Sequence, residues 1–133
     1  MKGPCILDAS AVLALLQAES GHEAVLAHIT KSRCFISAIN LTEVLQRLVD
    51  RGMSTGDAEA AFDALELEVA IFDNSAARAC AALRKDTRRL GLSIGDRACI
   101  ALARHHKGTA VSADREWRKL ELDVSIELIR PAT

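Results

Sequence analysis

Short apolar runs of strand length alternate along this chain with stretches of helical period, and that alternation limits the fold more than any other feature. Cys5–Leu7, Cys34–Ser37, Val69–Phe72, Thr109–Ser112 and Ser125–Ile129 read as five strands, with Pro131 after the last. Between the first two, Val12, Leu13, Leu15 and Leu16 mark one helix, and Ala24, Val25 and Ile29 a second. Leu41, Val44, Leu45, Leu48 and Val49 form a single helical face closed by Arg51-Gly52, and Thr55 opens a helix carrying Ala58, Ala61, Phe62 and Leu65. One long helix is expected from Ser75 to Leu90, ended by Gly91. A largely apolar one follows Ser93 and reaches His105 and His106 before Gly108, and Asp114 begins a short turn with Trp117. Strands separated by helices pair in parallel through right-handed crossovers, so the expected class is α/β with a central sheet covered on both faces. With 133 residues and no linker or low-complexity break, residues 1–133 are expected to form one domain.

Composition removes several classes of function. No apolar run approaches the ~18 residues of a spanning helix. The net charge of −1 excludes a protein that holds nucleic acid by overall positive charge, and 3% aromatics with no Tyr excludes a base-stacking platform. The start, Met1-Lys2-Gly3-Pro4, leads directly into the first strand without the pattern of a signal peptide, so a cytoplasmic protein is expected. Cys5, Cys34, Cys80 and Cys99 are widely spaced inside apolar stretches and read as reduced core residues.

In open parallel sheets the site lies beyond the carboxyl ends of the strands. Of the eighteen acids, five fall there: Asp8, Glu43, Asp73, Asp96 and Asp114. Each also has a structural reading. Asp8 and Asp114 can cap the helical turns they precede. Asn40 with Glu43, and Ser93 with Asp96, have capping-box spacing. Asp73-Asn74-Ser75 reads best as turn and cap. Four carboxylates from four separate connections are another matter, because two like charges about 4 Å apart repel by roughly 4 kcal/mol at an effective dielectric near 20. A protein of ordinary stability tolerates several such pairs poorly unless a cation sits among them. The ligands are hard oxygens, with Ser10 and Ser112 nearby, which selects Mg²⁺ or Mn²⁺ over zinc. Phosphodiester hydrolysis is the reaction class such a cluster serves.

Leu7-Asp8-Ala9-Ser10-Ala11, Asn40-Leu41-Thr42-Glu43-Val44, Leu92-Ser93-Ile94-Gly95-Asp96-Arg97-Ala98 and Val111-Ser112-Ala113-Asp114-Arg115-Glu116-Trp117 resemble, in order and spacing, the signatures of PIN-domain nucleases. Within that superfamily the likeness is to VapC toxins, and it runs from Ile6 to Trp117. The resemblance implies a three-layer α/β/α sandwich around a five-stranded, mainly parallel sheet, and an endoribonuclease dependent on Mg²⁺ or Mn²⁺. By position Asp8, Glu43, Asp96 and Asp114 correspond to the catalytic, metal-binding acids, with Ser10, Ser112 and Asn40 as supporting polar residues. It also implies a homodimer restrained by a small VapB-like antitoxin, with RNA as substrate.

Residues 78–107 carry eight basic side chains against Asp86 and Asp96, +6 in all. Arg84, Lys85, Arg88, Arg89 and Arg97 are therefore candidate RNA contacts, with a solvated helix face as the alternative. His105 and His106 suit the negative end of a helix, and Trp117 suits the core. Two other functions compete. A phosphoacceptor domain would use Asp73, but the chain lacks paired acids after strand one and a Lys after the last strand. A non-catalytic scaffold of the same fold is the other.

Overall fold

The computed structural model describes residues 3–130. The reading of Met1-Lys2 as the start of a leaderless chain, and of Pro131 as the residue after the last strand, lies outside them. Five strands, β1 (Cys5–Leu7), β2 (Cys34–Ser37), β3 (Glu68–Ala70), β4 (Thr109–Ser112) and β5 (Ser125–Leu128), form one sheet in the order β3-β2-β1-β4-β5. Every pairing is parallel, with Cys5 opposite both Cys34 and Thr109, and Thr109 opposite Ser125. The expected α/β class, the parallel sheet and its five strands are all present.

The helices are α1 (Ala9–Leu16), α2 (His22–Lys31), α3 (Ala38–Asp50), α4 (Thr55–Asp63), α5 (Asn74–Ala82), the single turn α6 (Arg84–Thr87) and α7 (Ile94–His106). Two cores result. Leu7, Val12, Val25, Ile36, Val44, Leu48 and Phe62 pack on one face of the sheet, and Ile6, Phe35, Leu92, Ile100, Ala110 and Trp117 on the other. Alternate residues of β1 therefore enter opposite cores, as the period of two requires, and its Ile6 and Leu7 are both fully buried. Trp117 is a core residue, and the four cysteines are buried and unbridged. No helix of the described residues is long and apolar enough to cross a membrane.

Three local expectations need correction. The third strand ends at Ala70 rather than Phe72, because Ala70 pairs with Ser37, where β2 itself stops. Beyond it Ile71 is 81% exposed. The long helix from Ser75 to Leu90 is broken at Leu83, whose N–H bonds back three residues to Cys80, a tightened turn that places both Leu83 and Thr87 in the interior. Arg88–Leu90 then make a 3-10 turn, and Gly91 ends it with φ of 64°. Asn40 and Glu43 do not form a capping box, since α3 begins earlier. Its cap is Ser37, which accepts the Ile39 N–H at 3.2 Å.

Candidate active site

Asp8 is the residue at which β1 becomes α1. Its backbone remains extended while its carboxylate receives the helix's unpaired donors, so Oδ1 accepts the Ala11 N–H at 2.8 Å. Ser10 Oγ donates to the same oxygen at 2.7 Å, and Ser112 Oγ, at the end of β4, donates to Oδ2 at 2.5 Å. Both hydroxyls are used twice. Ser10 Oγ accepts from the Ala113 N–H at 2.9 Å and Ser112 Oγ from the Asp114 N–H at 3.0 Å, so the serines tie the β1 and β4 connections together around one carboxylate. With two donors on Oδ1 and one on Oδ2, the remaining acceptor capacity of Asp8 is on Oδ2.

The other acids come from α3, α7 and the turn after β4. Asp96 completes a capping box, its Oδ2 accepting the Ser93 N–H at 3.0 Å and its own N–H donating to Ser93 Oγ at 3.1 Å. That bond uses one carboxylate oxygen, so the cap and a ligand role are compatible. Glu43 is held by Asn40, whose Nδ2 donates to Oε1 at 2.9 Å and to the Gly95 carbonyl at 3.1 Å. Gly95 is there because a Cβ would sit inside contact distance of both Glu43 oxygens. Asp114 is exposed and caps the turn Arg115–Lys119 by accepting the Glu116 N–H at 3.0 Å.

All four acids line one cleft of about 400 Å³ at the carboxyl end of the sheet, together with Ser10 and Asn40. Burial raises the carboxyl of Asp8 to about 6, well above its ordinary value, despite three hydrogen bonds that oppose the shift. Glu43 and Asp96 are raised as well, first by burial, with the charge of Asp96 bearing on Glu43 and that of Asp114 on Asp96. Asp8, Glu43 and Asp96 are thus held where ionisation is unfavourable and a neighbouring acid adds to the cost.

The donor set fits a hard divalent ion. Among the described residues no three His, Cys, Asp or Glu converge into a ready-made cage. The carboxylates instead line an open cleft, and Asn40, another lining residue, has a buried Oδ1 with no hydrogen-bond partner among the described residues. Oxygen donors spread in this way suit an ion that retains several waters, as Mg²⁺ does.

The remaining candidates lie elsewhere. Asp73 caps α5 by accepting the Ala76 N–H at 2.9 Å and borders a separate apolar pocket with His105 and His106. His106 stacks on Phe35. Arg84, Lys85, Arg88 and Arg89 are exposed around α6 and are not among the residues of the acidic cleft. Arg97 turns under α5 and donates to the Cys80 carbonyl at 3.2 Å. The cations that do line the cleft are Arg47, Arg51 and Arg130, with Glu19 beside them. Two signals in the sequence point to them. Arg47 and Arg51 follow Glu43 at successive four-residue steps, one face of α3, and Arg130 follows the carboxyl end of β5.

No curated protein sequence matches the chain. Among solved structures it is similar to the DNA-bound VapBC of Salmonella typhimurium, at 20% identity and a TM-score of 0.74, covering 98% of this chain and all of that one. It is also similar to VapC20 of Mycobacterium tuberculosis, described as a toxin cleaving the sarcin–ricin loop, at 18% identity and 0.69 over 83% of this chain and 89% of that one. VapBC-5 of the same organism, a member of the VapBC toxin–antitoxin family, matches at 25% and 0.60, covering 96% and 98%. The PIN domain model matches residues 5–122, nearly the whole described chain and every acid of the cleft, and on that match the chain belongs to the PIN-domain family.

Proposed function

We propose that this chain is a Mg²⁺- or Mn²⁺-dependent endoribonuclease, cytoplasmic and homodimeric, acting as the toxin of a VapBC-type pair restrained by a small VapB-like antitoxin. One observation carries the reading: carboxylates from four separate connections line a single cleft, and three of them are raised by burial, an effect that the charges of Arg47 on Glu43 and of Arg97 on Asp96 oppose without cancelling. Membership of the PIN-domain family and similarity to VapBC structures support the toxin assignment.

Asp8 and Asp96 would hold the ion directly, and Glu43 and Asp114 directly or through water. Such an ion supplies Lewis-acid stabilisation of the phosphodiester and an activated water. The chain's own contribution is positional. Ser10 and Ser112 fix both oxygens of Asp8, so its carboxylate cannot rotate away, and Asn40 fixes Glu43 against the Gly95 backbone. Purified protein is expected to cut RNA with Mg²⁺ or Mn²⁺ and to stop when the ion is chelated. Asp8→Asn and Asp96→Asn should abolish cleavage while unfolding as cooperatively as wild type. Metal-dependent cleavage that survives both substitutions overturns the proposal.

A further inference from the structure

An acidic cleft that receives a polyanion needs cations of its own, because affinity for a nucleic-acid backbone rests on phosphate neutralisation. Arg47, Arg51 and Arg130 are the basic residues lining this cleft. Arg47 is a turn from Glu43, and its charge acts on that carboxylate. The other two converge on a different acid. Glu19, in the connection between α1 and α2, takes Arg51 Nη1 at 3.2 Å on Oε2 and Arg130 Nη2 at 3.5 Å on Oε1. Arg130 is anchored in addition by its Nε, which donates to the Ser20 carbonyl at 2.9 Å.

Folding energetics do not call for this arrangement. The three side chains keep 28–37% of their surface exposed, and ion pairs in such surroundings contribute little to stability. What the arrangement does is hold two guanidinium groups, from the end of α3 and the end of β5, on the two oxygens of one anion at the wall of the cleft. A phosphodiester also presents two non-bridging oxygens, the geometry that arginine forks recognise.

We propose that Arg51 and Arg130 form a binding site for a non-scissile phosphate of RNA, and that Glu19 occupies it as an internal anion until the backbone displaces it. Glu19 is then a competitor, and Arg51 and Arg130 are binding residues without a part in bond breaking. The site rests on the ribonuclease reading above, and it differs from the exposed basic segment around α6 in lying beside the acids.

The test measures binding of a labelled, mixed-sequence single-stranded oligoribonucleotide to the full chain across a salt series, in an Asp96→Asn background with Mg²⁺ so that the probe stays intact. Arg51→Gln and Arg130→Gln should each weaken binding and flatten the logarithmic salt slope by about 0.7. Glu19→Gln should act in the opposite sense, tightening binding about two- to fivefold. Thermal melts run alongside, and if Arg130→Gln fails to fold because the Ser20 anchor is lost, Arg51→Gln and Glu19→Gln decide alone. In the cleaving protein the same changes should move KM and leave kcat nearly constant. If wild type cleaves RNA but all three variants bind with unchanged affinity and slope, the phosphate site is wrong and the ribonuclease reading stands. If RNA is neither bound nor cut, both fall. Loss of a protein partner with RNA binding intact would assign the arginines to that partner and overturn the proposal.

Discussion

The molecule contains two tight polar clusters, and they are built on opposite rules. At the amino ends of β1 and β2, Cys5 and Cys34 are register partners, Cys5 Sγ lies 3.2 Å from His28 Nδ1, and His28 Nε2 lies 2.6 Å from Glu127. Cys34 Sγ donates to the His28 carbonyl, and burial pushes its thiol up to about 12, so it stays neutral and inert. Each polar side chain there has a partner. At the carboxyl end, Asp8, Glu43 and Asp96 are buried or half-buried carboxylates that repel one another, with an unpartnered amide oxygen beside them. A satisfied cluster stabilises the fold it belongs to. A cluster of carboxylates held against their own ionisation is the arrangement found where a site serves function rather than stability.

The two clusters should differ most in their effect on activity. Asp8→Asn or Asp96→Asn is expected to lower RNA cleavage by at least about 10²-fold, the scale on which loss of one electrostatic stabiliser is felt. His28→Ala, which dismantles the other cluster, should leave cleavage per folded molecule unchanged. A rate that falls as far in His28→Ala, measured at a temperature where the variant remains folded, would make both clusters functional and remove the distinction.

Stability should respond with opposite signs at the two ends. Asp8 has a folded pKa of about 6 against an ordinary value of 3.8, so between those values the native state holds the extra proton. Its contribution is fully present below the lower value and is lost as pH rises through the upper one, and stability falls across that window. The difference is about 3 kcal/mol at 1.36 kcal/mol per pKa unit. Asp8→Asn keeps an acceptor for the Ala11 N–H and removes the buried charge. It should therefore be more stable than wild type at pH 7.5, by up to that amount, and no more stable at pH 4. His28→Ala should instead cost about 1–3 kcal/mol, because it removes the hydrogen bonds that the imidazole shares with Glu127 and Cys5. Urea unfolding of the three proteins at the two pH values separates the cases, and parallel pH profiles for wild type and Asp8→Asn would show that Asp8 is not the strained group.

The same contrast explains what the sequence could and could not convey. Strand ends, and with them Asp8 and Asp114, follow from apolar runs bounded by acids, and the capping box at Ser93 and Asp96 follows from a three-residue spacing. Those signals are local. The break at Leu83 was hidden because Ala76, Ala79, Cys80 and Leu83 keep helical spacing up to it, and what bends the chain is the burial of Leu83 and Thr87 against a distant core. The basic residues around α6 do not line the cleft, and a run of like charges in the sequence carries no information about which cations do. Arg130 and Glu19 meet across 110 intervening residues of chain, and nothing in either neighbourhood announces it.

The smallest expected effect is the most direct test of what completes the unsatisfied end. A ligand that binds only the native state stabilises it in proportion to the logarithm of its concentration, so Mg²⁺ at ten times its dissociation constant adds about 1.4 kcal/mol. A bound cation also favours the ionised forms that burial, and after it the neighbouring carboxylates, disfavour at Asp8, Glu43 and Asp96, so the gain should be larger at pH 7.5 than at pH 5, where protons already neutralise part of the cluster. Asp96→Asn removes one ligand and should show a smaller rise in melting temperature than wild type. His28→Ala, with the cleft intact, should show the full rise from its lower starting point. Equal Mg²⁺ shifts in wild type and Asp96→Asn would place the ion elsewhere on the protein, and the carboxylates of the cleft would then need another explanation for being held together.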